Sequence, residues 1–179
     1  MLLKVEHFFN KIADFIGFIT AILMIAMMLN VFYDVIMRYF FNSGSIAMQE
    51  MEWHLFSVVI LLGVSYALKE DGHVRVDIIY DNLHVKKKAW INIIGCIVFL
   101  IPFSLFIGTG SYDFVMEAFT SHEISGDPGG LTNRWIIKAF IPASFYLLVF
   151  VSIGFVVKNI NLYRGAHDLH QKNIKGASK

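Results

Sequence analysis

Four stretches of the chain contain no Asp, Glu, Lys or Arg: 15–33, 53–68, 89–112 and 139–157. About 20 apolar residues cross a hydrocarbon core as a helix, so each stretch predicts a transmembrane helix. The second is short, and its helix is expected to begin near Ala47, which brings Glu50 and Glu52 to the interface or inside the protein. The third is long and is expected to tilt. None alternates polar with apolar residues, which excludes a membrane β-barrel. The expected fold is an all-α integral membrane protein. Its single domain covers 1–179, with spans over about 15–38, 47–68, 89–112 and 135–157 and a polar cytoplasmic tail over 164–179.

The edges of these runs carry matching punctuation. Trp53, Trp90 and Trp135 each stand near the start of a span, where an amphipathic indole favours the headgroup level. Pro102 and Pro142 are expected to kink the third and fourth helices, which neighbouring helices tolerate in a membrane. The segment 125–130 reads as a loop with Pro128-Gly129 at the centre of a tight turn, and Thr132 or Asn133 as the cap of the fourth helix. Val5, Phe8, Phe9 and Ile12 recur at helical spacing opposite Lys4, His7 and Lys11; Val76, Ile79, Tyr80 and Leu83 repeat the pattern. Both predict short amphipathic helices lying in the membrane interface. Glu6 and Asp14 precede the first run and no small-x-small site follows it, so it is read as a span rather than a cleaved signal.

Composition agrees. Hydrophobic residues make up 56% of the 179 and charged residues 16%, and mean hydropathy is +0.60. Soluble domains carry roughly a quarter charged residues, so this surface would not be wetted in water. A formal net charge of +1 excludes an electrostatic nucleic-acid binder, and a single cysteine excludes a disulfide framework. Lys4, Lys11, Lys69, Arg75, Lys86–Lys88, Lys158, Arg164, Lys172, Lys175 and Lys179 fall on the termini and the central loop, leaving only Arg38, Arg134 and Lys138 for the opposite side. The positive-inside bias then predicts both termini in the cytoplasm.

Candidate chemistry is confined to the span ends. Asp34 and Arg38 lie four apart and can pair on one helix face; Asp113 with Glu117, and Arg134 with Lys138, repeat that spacing. With Glu50, Glu52, Glu123 and Asp127, these charges map to one end of the bundle and predict ion pairing and partner docking, with Glu123 an exposed rim charge. No carboxylate falls at mid-membrane, where a proton or cation relay would need one. Of seven histidines only His54 adjoins a span, which does not suit axial haem ligation between helices. Ser57, Ser65, Ser104 and Ser144 stand alone in apolar helices, without a base to activate them. No catalytic residue, metal or cofactor is expected, and the chain reads as an accessory membrane subunit rather than an enzyme.

Several segments resemble one family. Val35-Ile36-Met37-Arg38-Tyr39-Phe40-Phe41-Asn42 is similar to the close of the first helix in small membrane subunits of TRAP (tripartite ATP-independent periplasmic) transporters of the DctQ type. Gln49-Glu50-Met51-Glu52 and Leu62-Gly63-Val64-Ser65-Tyr66-Ala67 resemble that family's second helix. Gly72-His73-Val74-Arg75-Val76-Asp77 resembles its cytoplasmic loop, and Ser125-Gly126-Asp127-Pro128-Gly129-Gly130-Leu131 followed by Arg134-Trp135 resembles one of its subgroups. The resemblance covers roughly 5–160. It implies a bacterial inner-membrane protein that packs on a large TRAP membrane subunit, which itself holds the substrate and sodium sites. It also implies help in docking a periplasmic substrate-binding protein for sodium-driven symport of organic acids. A haem-anchoring or other accessory subunit of a respiratory complex is the alternative.

Overall fold

The computed structural model describes residues 2–72, 80 and 82–165. Over these the chain is all-helical: α1 (Leu2–Phe40), α2 (Ile46–Lys69), α3 (Val85–Gly95), a π-helical turn (Cys96–Leu100), α4 (Ile101–Gly110), α5 (Tyr112–Thr120) and α6 (Trp135–Tyr163). Val85–Thr120 acts as one apolar unit, so four helices are long and apolar enough to cross a membrane.

Contacts between the helices define an up-down-up-down bundle. Lys69 Nζ bonds Asp14 at 2.7 Å and Asn30 Nδ2 bonds the Met48 carbonyl at 2.9 Å, so α1 and α2 run antiparallel. Gly17 makes that approach possible, because a Cβ there would fall 2.4 Å from the Tyr66 ring. On α6, the Phe9 ring lies 4.8 Å from that of Phe150 and Asn161 Nδ2 bonds Glu6 at 2.6 Å. The third span lies against α6 through Asn92–Asn159 at 2.9 Å, Cys96 Sγ to the Ser152 carbonyl at 3.7 Å, and Phe119 on Trp135 at 5.3 Å. Helix α6 touches every other helix, and its most apolar window is 33% buried against 6% for α1. The buried core is accordingly built around Leu148, Val151 and Phe155, with Ala13, Ile16, Leu68 and Cys96 packed on them.

Local chemistry explains two departures from the expected pattern. Pro102 has no N–H and its ring crowds the Val98 carbonyl. The helix absorbs this by widening one turn: Ile101 N–H bonds the Cys96 carbonyl, five residues back. The stretch 5–12, expected to lie in the interface, instead forms the opening turns of α1. No proline interrupts it, and Phe9 fits over Gly154, where a Cβ would lie 2.4 Å from its own. Phe9 is thus packed on α6, while Val5 and Phe8 of the same stretch stay exposed. At 39 residues α1 is about 58 Å long, well beyond the ~30 Å core, so it projects past the membrane. Val76, Ile79 and the loop residues His73, Arg75 and Asp77 lie outside the described residues, as does the tail from 166 onward.

Candidate functional site

The end of the bundle formed by the α1–α2 turn, α5 and the 121–134 loop gathers Arg38, Glu50, Glu52, Asp113, Glu117, Glu123, Asp127, Arg134 and Lys138. They divide into clamps and free charges. Asp34 is 3% exposed and accepts an ion pair from Arg38 on its own helix. Glu50, in the first turns of α2, reaches across to the loop. Ser125 Oγ donates to one of its oxygens and the Leu131 N–H to the other at 2.6 Å. The Leu131 carbonyl in turn accepts from Ser125 N–H at 3.0 Å, and Gly130 N–H bonds the Asp127 carbonyl at 3.0 Å. Pro128 and Gly129 sit at the centre of this turn, Gly129 at φ +85°, the left-handed position a type II turn requires. Gly130 must lack a Cβ for another reason: one built there would lie 2.8 Å from Glu50 Oε2 and 2.5 Å from Ser125.

Glu123 forms the second clamp. It pairs with Lys138, with Arg134 Nε at 3.9 Å, and its carbonyl accepts the Arg134 N–H at 3.1 Å. Glu123 is therefore not the exposed rim charge expected from the sequence; it is half-buried and ties the loop to α6. Lys138 Nζ also lies 3.9 Å from the centre of the Phe114 ring, joining α5 to the same cluster. Thr132 and Asn133 do not cap α6 with their side chains; Asn133 turns the chain at φ 59° and its carbonyl accepts the Ile136 N–H at 3.0 Å. What remains unclamped is acidic. Asp113, Glu117 and Asp127 are exposed and Glu52 is half-buried, none with an ion pair among the described residues.

At the opposite end lies a polar network that the pattern of charges and histidines along the chain does not announce. Glu6 and Asn161 are buried together, Asn92 links Asn159 to the Tyr80 hydroxyl, and Lys158 Nζ bonds the Lys69 carbonyl at 3.2 Å. The signal in the sequence was amides inside apolar helices, which favour bonding to neighbouring helices. Beyond α2, the ammonium of Lys69 bonds the exposed Glu70 carboxyl and holds it below the usual carboxylate range. Between the two ends the serines are structural: Ser57, Ser144 and Ser152 bond carbonyls of their own helices, and Ser65 and Ser104 are buried small side chains at helix contacts. Among the described residues no group of His, Cys, Asp and Glu has a metal-binding arrangement.

The sequence profile of the family described as tripartite ATP-independent periplasmic transporters, DctQ component, matches residues 27–162. A TRAP transporter small permease protein of Haemophilus influenzae (strain Rd) is 32% identical over 149 residues, covering 83% of this chain and 90% of the relative. The C4-dicarboxylate TRAP transporter small permease protein DctQ of Vibrio cholerae is 26% identical over 113 residues, 61% of this chain and 48% of that protein. The sialic acid TRAP transporter permease protein SiaT of H. influenzae (strain 86-028NP) is 26% identical over 143 residues, 80% of this chain but only 22% of that longer protein. A matched profile that takes in all of α2 to α5 and nearly all of α6, on a bundle of four membrane-crossing helices, places this chain in the DctQ family of TRAP transporter small permease subunits, as a multi-pass protein of the inner membrane.

Proposed function

We propose that this subunit supports sodium-driven uptake of an organic acid in two ways: α1 packs on the large membrane subunit, and the clamped end of the bundle helps dock a periplasmic substrate-binding protein. The observation that carries the docking role is the contrast within one cluster. Glu50 and Glu123 are used up holding the 121–134 loop, while Asp113, Glu117 and Asp127 face outward with no ion pair among the described residues. A rigid, acidic rim suits electrostatic steering of a soluble protein toward a fixed orientation. The packing role rests on α1. Phe15, Phe18, Ile22, Ile25, Leu29 and Phe32 are all exposed and alternate spacings of three and four, the seam that a second helix fills in 3-4 packing. The carboxylate class of substrate is carried over from relatives whose names specify C4-dicarboxylate and sialic acid.

Orientation belongs to the same proposal, with both termini cytoplasmic and the clamped end periplasmic. Reporter fusions after Lys87 and at the C-terminus should read cytoplasmic, and fusions near Gly44 and Gly129 periplasmic; a periplasmic signal at Lys87 overturns it. For docking, the assembled transporter is reconstituted in proteoliposomes and its own binding protein titrated. Asp113→Lys with Glu117→Lys should raise the concentration for half-maximal uptake, leave the maximal rate unchanged, and reduce the salt dependence. An unchanged half-maximal concentration would remove the docking role.

A further inference from the structure

We propose that a groove between the start of α3 and the end of α6 binds one anionic phospholipid, through its phosphate and one acyl chain. The groove holds about 450 Å³ and is lined by Leu83, Lys86, Lys87, Trp90, Ile91 and Tyr163. Its lining changes character along the helix axis in the order a phospholipid does. Lys86 and Lys87 stand at the outer rim, exposed, with no carboxylate partner among the described residues. One turn further in, the Trp90 and Tyr163 rings meet edge to face at 6.1 Å, and the Lys86 ammonium lies 5.8 Å from the centre of the Tyr163 ring. Indole and phenol rings favour the level of headgroup and ester, so this pair marks the depth of the polar boundary. Below it, Ile91, Ile94 and Val98 continue the face of Lys87 and are about half exposed, an apolar track for a chain.

Charge complementarity selects the occupant. Two ammonium groups at the rim, without a carboxylate partner among the described residues, call for an anion, and the apolar track beneath calls for a molecule with a hydrocarbon tail. Lysine is a flexible point charge able to follow a phosphodiester on a mobile lipid, with its stem along the apolar wall. A free phosphate would use the rim and leave the aromatic pair and the track uncovered. A zwitterionic lipid would bring its own ammonium group against the lysines. The inference requires only that the chain sits in a membrane, and so stands apart from the docking proposal.

The test uses the full chain with Trp53→Phe and Trp135→Phe, which leaves Trp90 as the fluorophore, in nanodiscs of phosphatidylcholine. Spin-labelled phosphatidylglycerol should quench Trp90 at a several-fold lower mole fraction than spin-labelled phosphatidylcholine. Lys86→Gln with Lys87→Gln should weaken phosphatidylglycerol binding by that same several-fold factor, to the level of phosphatidylcholine, whereas Lys86→Arg with Lys87→Arg should keep the preference. Lys175→Gln with Lys179→Gln, in the tail, should leave it unchanged. Equal quenching by the two lipids, or a preference that survives the double Gln variant, overturns the proposal. Displacement by millimolar inorganic phosphate would assign the rim to a soluble anion. Loss of quenching in the complex with the large subunit would assign the groove to that protein; either result also overturns it.

Discussion

Arg38→Gln tests the buried ion pair of α1 directly. The Asp34 carboxylate is 3% exposed and Arg38 is its ion-pair partner, while the Arg38 side chain is 47% exposed. Breaking a fully buried pair by deleting one partner costs about 3–5 kcal/mol, because the other charge stays buried and uncompensated. Here water reaches the guanidinium side, so roughly half of that, about 1.5–2.5 kcal/mol, is expected. For a chain of this size that corresponds to a fall of about 3–10 °C in Tm. Cys96, the chain's one cysteine, is 4% exposed against α6 and supplies an internal reporter. A thiol-reactive dye labels it only when the bundle opens, so the labelling rate against temperature reads the transition. Asp34→Asn combined with Arg38→Gln should recover much of the loss, since a neutral amide is far less costly to bury than an unpaired carboxylate. An Arg38→Gln transition within a degree of the parent, or a double variant as unstable as the single one, would show that Asp34 does not depend on Arg38.

Other expectations follow from the same geometry. Glu50→Ala should free the 121–134 loop without unfolding the bundle, so exchange of the Ser125 and Leu131 amides should quicken roughly tenfold or more by hydrogen-exchange mass spectrometry, with the α6 amides unchanged. Gly130→Ala should reproduce that effect, because its Cβ would intrude between Ser125 and Glu50. Gly154→Val should force Phe9 off α6 and destabilise by about 1–3 kcal/mol in the Cys96 labelling assay, and Phe9→Gly in the same chain, which removes the opposing Cβ, should restore part of it.

The four membrane-crossing helices and the turn at Pro128-Gly129 follow from the sequence, because membrane crossing and turn formation are decided within about 20 consecutive residues or fewer. The same reasoning places Arg38 beside Asp34, one helical turn away. It also groups the charges at one end of the bundle, since four successive spans alternate direction.

What tertiary structure alone decided is which of those charges are spent. Glu50 and its loop partners Ser125 and Leu131 are separated by 75 and 81 positions, and Glu123 meets Lys138 only because the loop folds back onto α6. No periodicity encodes such a pairing. The continuity of α1 was hidden for the same reason. An amphipathic stretch reads alike whether its apolar face meets lipid or another helix, and it was Gly154, on a helix more than a hundred residues away, that offered Phe9 a protein surface instead. Apolar patterning sets how many helices cross the membrane; the order in which they touch depends on small residues such as Gly17 and Gly154, whose missing side chains let particular partners approach.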